Sequence, residues 1–131
     1  MNTPDLSVSA LAHDRDRTCA VVALAGRAGI ADAGRFRQLL ELPEAQESGH
    51  IILDLSRLSS IDWWAALILM WVGRMVSRRG GTLVLASPQP AVARLLTAAG
   101  APRVVTVYQS VQQAYGGGRG PAVMDTRSRR R

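Results

Sequence analysis

The stretch HIILDLSRLSSIDWWAALILMWVG, residues 50–73, decides how the chain folds. Its first half has a continuous apolar core, Ile51 to Leu53 plus Leu55, as a strand covered on both faces requires. Its second half predicts a helix from about Asp62 to Arg79 that stops at Gly80-Gly81. The chain's three tryptophans, Trp63, Trp64 and Trp71, all fall in that helix. Two of them stand where the strand hands over to the helix, the kind of junction at which α/β folds place their function.

Working outward, the apolar periods alternate between strand and helix. LSVSALAHD reads as an edge strand and TCAVVALAGR as a stronger one, apolar, β-branched and ending at Gly26. The polar HDRDR between them predicts a hairpin turn. AGIADAGRFRQLLEL turns helical, with Asp32 as its cap, Ala33, Phe36, Leu39 and Leu40 at helical spacing, and Pro43 near its end. After the central stretch come a short strand, TLVLAS, a Pro-initiated helix, AVARLLTAAG, a last strand, RVVTVY, and a short helix, SVQQAYGGG. The order β-β-α-β-α-β-α-β-α describes an α/β fold: a mixed sheet of about five strands with about four helices packed on it.

The bulk numbers fit one domain. The 131 residues are 47% hydrophobic but only 5% aromatic, so Ala, Val, Leu and Ile must build the core. The longest apolar run, Trp63 to Val72, is too short to span a bilayer at ~20 residues. The first twenty residues carry five charged side chains and have no secretory pattern. Cys19 stands alone in an apolar strand, which predicts a buried structural thiol and fits a reducing cytoplasm. The formal charge is +6, and all sixteen basic residues are arginine. Five of these fall in residues 116–131 with one acid, so the excess belongs mostly to the tail. We expect a loose terminus over residues 1–4, one domain over 5–115, and a disordered Arg-rich tail over 116–131.

Taken together, the Leu-Asp-Leu strand, Asp62 at the helix start, the Gly-Gly-Thr-Leu entry to the next strand, the Pro-led helix and the final VYQSVQQA resemble the STAS domain over roughly residues 5–115. STAS is the fold of bacterial anti-sigma factor antagonists, which regulate transcription by partner switching. Antagonists of this kind carry Asp-Ser-Ser-Gly, or Asp followed by Ser or Thr, at the helix start, and a partner kinase phosphorylates the first hydroxyl. The added charge of about −1.5 to −2 then blocks binding. Here the matching positions read Asp62-Trp63-Trp64-Ala65. Trp63 has no hydroxyl to phosphorylate, so the resemblance implies the fold and a protein partner but no phosphoswitch at that position. The family also often carries an acidic residue after the second strand, where GRAG places Gly29. Ser59 and Ser60 just upstream read as residues shaping the turn.

The helix itself has two apolar stripes. Ala65, Ile68, Leu69, Val72 and Val76 predict the face on the sheet. Trp63, Leu67, Met70 and Trp71, with Arg74, form a second stripe that either the helix near residues 90–99 or another molecule must cover. Asp62 reads as the N-cap. The candidate binding residues are therefore Asp62, Trp63, Trp64, Leu67, Met70, Trp71 and Arg74. Such a stripe suits an anti-sigma factor or related protein, a hydrophobic small molecule held by the tryptophans, or a second copy of the chain. Some STAS proteins clamp ATPase partners, which adds a subunit of a lipid-transport complex to the alternatives. No nucleotide loop, metal-ligand spacing or nucleophile turn is present, and no cofactor or catalytic residue is expected. His13 and His50, both placed at strand starts, read as solvated surface residues.

Overall fold

The structure is a computed structural model and describes residues 5–14 and 19–118. At its centre lies β3 (His50–Ile61), flanked by β2 (Cys19–Ala28) and β4 (Thr82–Ala86), both parallel to it. β1 (Leu6–Asp14) pairs antiparallel with β2, and β5 (Val107–Tyr108) pairs parallel with β4. The strand order is β1-β2-β3-β4-β5. Each parallel crossover thus advances in the same direction across the sheet. Right-handed crossovers of that kind set their helices on one face, and α1 (Ala33–Arg37), α2 (Pro43–Gln46), α3 (Trp63–Arg78) and α4 (Pro90–Ala98) fill those crossovers. The other face receives α5 (Val111–Gly118).

The two-residue alternation of the strands sorts the core accordingly. Ile51, Leu53 and Leu55 of β3, Val22 and Leu24 of β2 and Leu83 and Leu85 of β4 join Phe36, Leu69, Val72, Val76, Val92 and Leu96 of the helices. Cys19, Val21, Ile52, Val84 and Ala86 point the other way and meet Ala114 of α5. The Cys19 thiol is buried there, as its strand context predicts. On this second face a groove of about 300 Å³ opens among Ser7, Ser9, Ala23, Ala25, Asp54, Ser56 and Arg57. No helix among the described residues is long and apolar enough to cross a membrane.

Several details differ from the sequence reading. The predicted helix over residues 28–42 is broken: Ala28 still belongs to β2, a 3-10 turn over Ile30–Asp32 precedes α1, and a second over Gln38–Glu41 follows it. Asp32 does not cap α1; its carboxylate turns back to accept the Gly29 N–H at 2.8 Å. Pro43 holds Leu42 extended, which ends the run. Secondly, β3 continues through Ser59 and Ser60 to Ile61, with Ser60 paired to Arg27 and the Ser59 hydroxyl donating to the Gly26 carbonyl. The two serines are strand residues, and Asp62 alone makes the turn.

The last strand is shorter than RVVTVY. The N–H groups of Val104 and Val105 both donate to the Ala101 carbonyl, so a turn satisfies them and only Val107 and Tyr108 join the ladder. Finally, His50 is not solvated: it is half-buried, and its Nδ1 is hydrogen-bonded to the Thr82 hydroxyl. His13 falls near the end of β1, not at a strand start. The hairpin turn expected over residues 13–17 falls, from Arg15 onward, outside the described residues. The expected terminus over 1–4 lies wholly outside them. Of the expected tail, residues 116–118 continue α5, and the rest lies outside as well.

Candidate functional site

Asp62 makes the strand-to-helix junction. Its backbone is extended, its N–H donates to the Ala28 carbonyl, and its carbonyl accepts the first helical bond from Ala66. One carboxylate oxygen accepts the Ala65 N–H at 2.8 Å, which is the N-cap bond expected from the sequence. The other accepts the Ile30 N–H at 3.2 Å. The same carboxylate therefore caps α3 and ties down the turn that follows β2. A side chain at Gly29 would bring its Cβ within 3.2 Å of that oxygen, so the turn passes close to the cap.

An α-helix advances about 100° per residue, and most of α3 sorts into two arcs on that wheel. Ala65, Ala66, Leu69, Met70, Val72, Gly73 and Val76 are buried. The opposite arc carries Trp63, Trp64, Leu67, Ile68, Trp71, Arg74, Met75 and Arg78. On it Trp63, Trp64 and Trp71 are 46%, 58% and 38% exposed, and Leu67 and Ile68 are half-buried against the core edge.

Two assignments of the sequence reading change. Met70 is 3% exposed and belongs to the core. It stands one turn before Gly73, whose α-carbon closes so tightly on Val105 that an added Cβ would lie 2.5 Å from it. That flank of α3 is covered, and α4 also meets the helix. Ile68, predicted to face the sheet, instead lies at the margin of the exposed arc.

The fold adds two residues that periodicity could not place. Ile30 is 58% exposed and is fastened beside the start of α3 through its bond to Asp62. Together with the tryptophans it accounts for all the exposed large hydrophobic side chains among the described residues. Arg37 of α1 lies 5.8 Å from the centroid of the Trp71 ring, a cation–π distance. Neither carries a sequence signal for this role. Ile30 stands in a turn, and Arg37 lies in another element. Asp62, Trp63, Trp64, Leu67, Trp71 and Arg74 are brought to one surface, and only Met70 of the expected set is withdrawn. The larger concavities described lie along α1 and α2, lined for example by Val8, Arg35 and Leu42 or by Gly34, Leu40 and Arg79, and no tryptophan borders them.

The family model for the STAS domain matches residues 10–114. The chain belongs to the STAS domain family. Among solved structures, this STAS domain is similar to a Thermotoga maritima protein proposed to be an anti-sigma factor antagonist, at 26% identity over 76% of this chain and 88% of that one, with a TM-score of 0.63. An anti-sigma factor antagonist from Mycobacterium paratuberculosis matches at 21% identity over 92% of this chain and all of its own, with a TM-score of 0.72. The antagonist SpoIIAA, in its unphosphorylated form, matches at 20% identity over 88% of this chain and 96% of its own, with a TM-score of 0.61. At such identities the last two establish a shared fold. No curated protein sequence matches the chain.

Proposed function

We propose that this STAS domain is a non-enzymatic, cytoplasmic protein-binding module of the anti-sigma factor antagonist kind, which docks its partner on the exposed arc of α3 without a phosphoswitch at residue 63. One observation carries the reading: Trp63, Trp64 and Trp71 stand exposed together on one side of the first helix after the central strand. Tryptophan is among the residues most enriched in binding hot spots, and soluble monomers rarely leave such side chains clustered in water. The structural neighbours that are anti-sigma factor antagonists support a protein partner over other uses of the fold. An indole at residue 63 has no hydroxyl for a kinase to modify, so regulation by phosphate at that position is lost.

The test is calorimetry with the anti-sigma factor of the same host. Trp63→Ala should weaken the complex by ~2 kcal/mol, about 30-fold, while moving the melting temperature little. Adding ATP should leave the chain without phosphate and the complex intact. Unchanged affinity in a folded Trp63→Ala variant overturns the reading. So does stoichiometric phosphate that releases the partner.

A further inference from the structure

The chemistry of the α3 arc is polarised along its length. Trp63, Trp64, Leu67 and Trp71 occupy its first two-and-a-half turns, about 12 Å at 1.5 Å per residue. Arg74 and Arg78 follow on the same arc, both exposed. Arg37 flanks Trp71 from α1. Neither α1 nor α3 contains an acidic residue. Of the nearest carboxylates, Asp62 is occupied by two backbone N–H groups. Asp32 is turned back onto Gly29. Glu41 lines the neighbouring groove with Arg37 and Arg79, and Arg79 donates to the Leu40 carbonyl. Among the described residues Arg37, Arg74 and Arg78 close no ion pair.

We infer that the partner surface recognised here is an amphipathic protein segment that is apolar at one end and acidic at the other, laid along α3 with its carboxylates over Arg74, Arg78 and Arg37. This rests on the reading of α3 as the contact surface and names the partner's chemistry. Charge complementarity selects the occupant. A second copy paired arc to arc brings only Asp62, whose carboxylate already accepts two backbone N–H groups, so self-association would gather three arginines from each copy against one engaged carboxylate, which is costly once they are desolvated. A helix lying in a membrane interface keeps its cations beside its apolar stripe. Here Arg74 and Arg78 lie within the angular range of the tryptophans, so inserting Trp71 would carry both toward the acyl chains. An acidic, amphipathic segment satisfies both halves, with apolar anchors on the indoles and carboxylates paired to guanidinium groups.

A random helical-peptide display library, selected against the full chain, tests this. The enriched peptides should combine apolar anchors with carboxylates at one end. Their affinity should fall at least about tenfold on Trp71→Ala and at least about tenfold on the double change Arg74→Glu, Arg78→Glu, with binding weaker at high salt. Both arginines are exposed, so the charge-reversed variant keeps its fold, which circular dichroism verifies. Enriched peptides that need Trp71 but carry no carboxylates, and ignore the charge reversal, overturn the acidic partner and leave the contact surface standing. Peptides indifferent to both Trp63→Ala and Trp71→Ala overturn the contact surface itself. A selection that enriches no carboxylate-bearing peptide also counts against the inference. Co-sedimentation with phosphatidylglycerol vesicles that is lost in Trp71→Ala would assign the arc to a membrane, and a Trp71-dependent dimer in sedimentation velocity would assign it to a second copy.

Discussion

Asp62 joins two pieces of backbone through one carboxylate, and its energetics can be separated from its charge. Asn caps a helix about as well as Asp, whereas Ala removes the acceptor and typically costs ~1 kcal/mol. In Asp62→Ala the Ile30 N–H loses its partner as well. We expect Asp62→Ala to lower stability by ~1–2 kcal/mol in urea denaturation and Asp62→Asn by less, because the amide oxygen keeps the Ala65 cap bond while its NH2 group cannot accept the Ile30 N–H. Equal losses in both variants would show that the cap bond to Ala65 contributes little beside the Ile30 bond and the charge at the helix dipole. The tryptophans beside it behave differently. Trp64 is the most exposed of them, so stability and binding separate best there, whereas Trp71, 38% exposed and flanked by Arg37, would lose some packing when truncated. At Met70 the two do not separate: Met70→Ala would empty a buried site and report on folding rather than on binding.

At the scale of elements, two glycines make opposite predictions. Gly26 sits in β2 with φ of +99°, and a Cβ there would lie 2.0 Å from the Asp5 carbonyl oxygen, a backbone atom that cannot rotate away. The Asp5 carbonyl also accepts the Arg27 N–H, so the start of β1 is held against the irregular end of β2. Gly26→Ala should cost at least ~2 kcal/mol through both the left-handed backbone and the forced separation of the strands. Gly34 lies exposed on α1 with nothing within 4 Å of its would-be side chain. Gly34→Ala should stabilise by ~0.5–1 kcal/mol, because alanine restricts the unfolded chain and favours helix. Thermal melts of the two variants check the pair. A neutral Gly26→Ala would mean that the β1–β2 contact contributes little to the fold.

The whole molecule shows its dependence on pH through His50. Burial between the sheet and α5 holds the ring below the usual imidazole value, and a weaker contact with the Ala114 backbone acts the other way. A histidine with a depressed folded pKa is neutral in the native state while the unfolded chain takes up a proton. Stability from this group is therefore complete above the ordinary value of about 6.5, and is lost as pH falls through the lower folded value. Between about pH 7 and about pH 5 the melting temperature of the wild type should fall further than that of His50→Gln, whose side chain does not titrate. Parallel curves would mean that His50 is solvated in the native protein. Because His50 stands where β3, β4 and α5 converge, the same titration should loosen α5 first, which amide exchange at Ala114 would detect.

By itself the sequence determined the fold class, the order of the elements, the sheet-facing residues Leu69, Val72 and Val76, and the capping role of Asp62. Each of these follows from short-range periodicity or from a side chain reaching three residues along the chain. Tertiary structure alone decided the rest. Ser59 and Ser60 belong to a strand because β2 runs beside them, and Val104 and Val105 leave the sheet because the Ala101 carbonyl takes their N–H groups. Met70 and Trp71 are adjacent residues of one apolar run, and nothing local distinguishes them. One is buried because its flank of α3 closes toward Val105, and the other keeps 38% of its surface exposed beside Arg37 of α1. Which side of an all-apolar helix is left uncovered depends on where its neighbours pack, and that is a property of contacts between residues far apart in the chain.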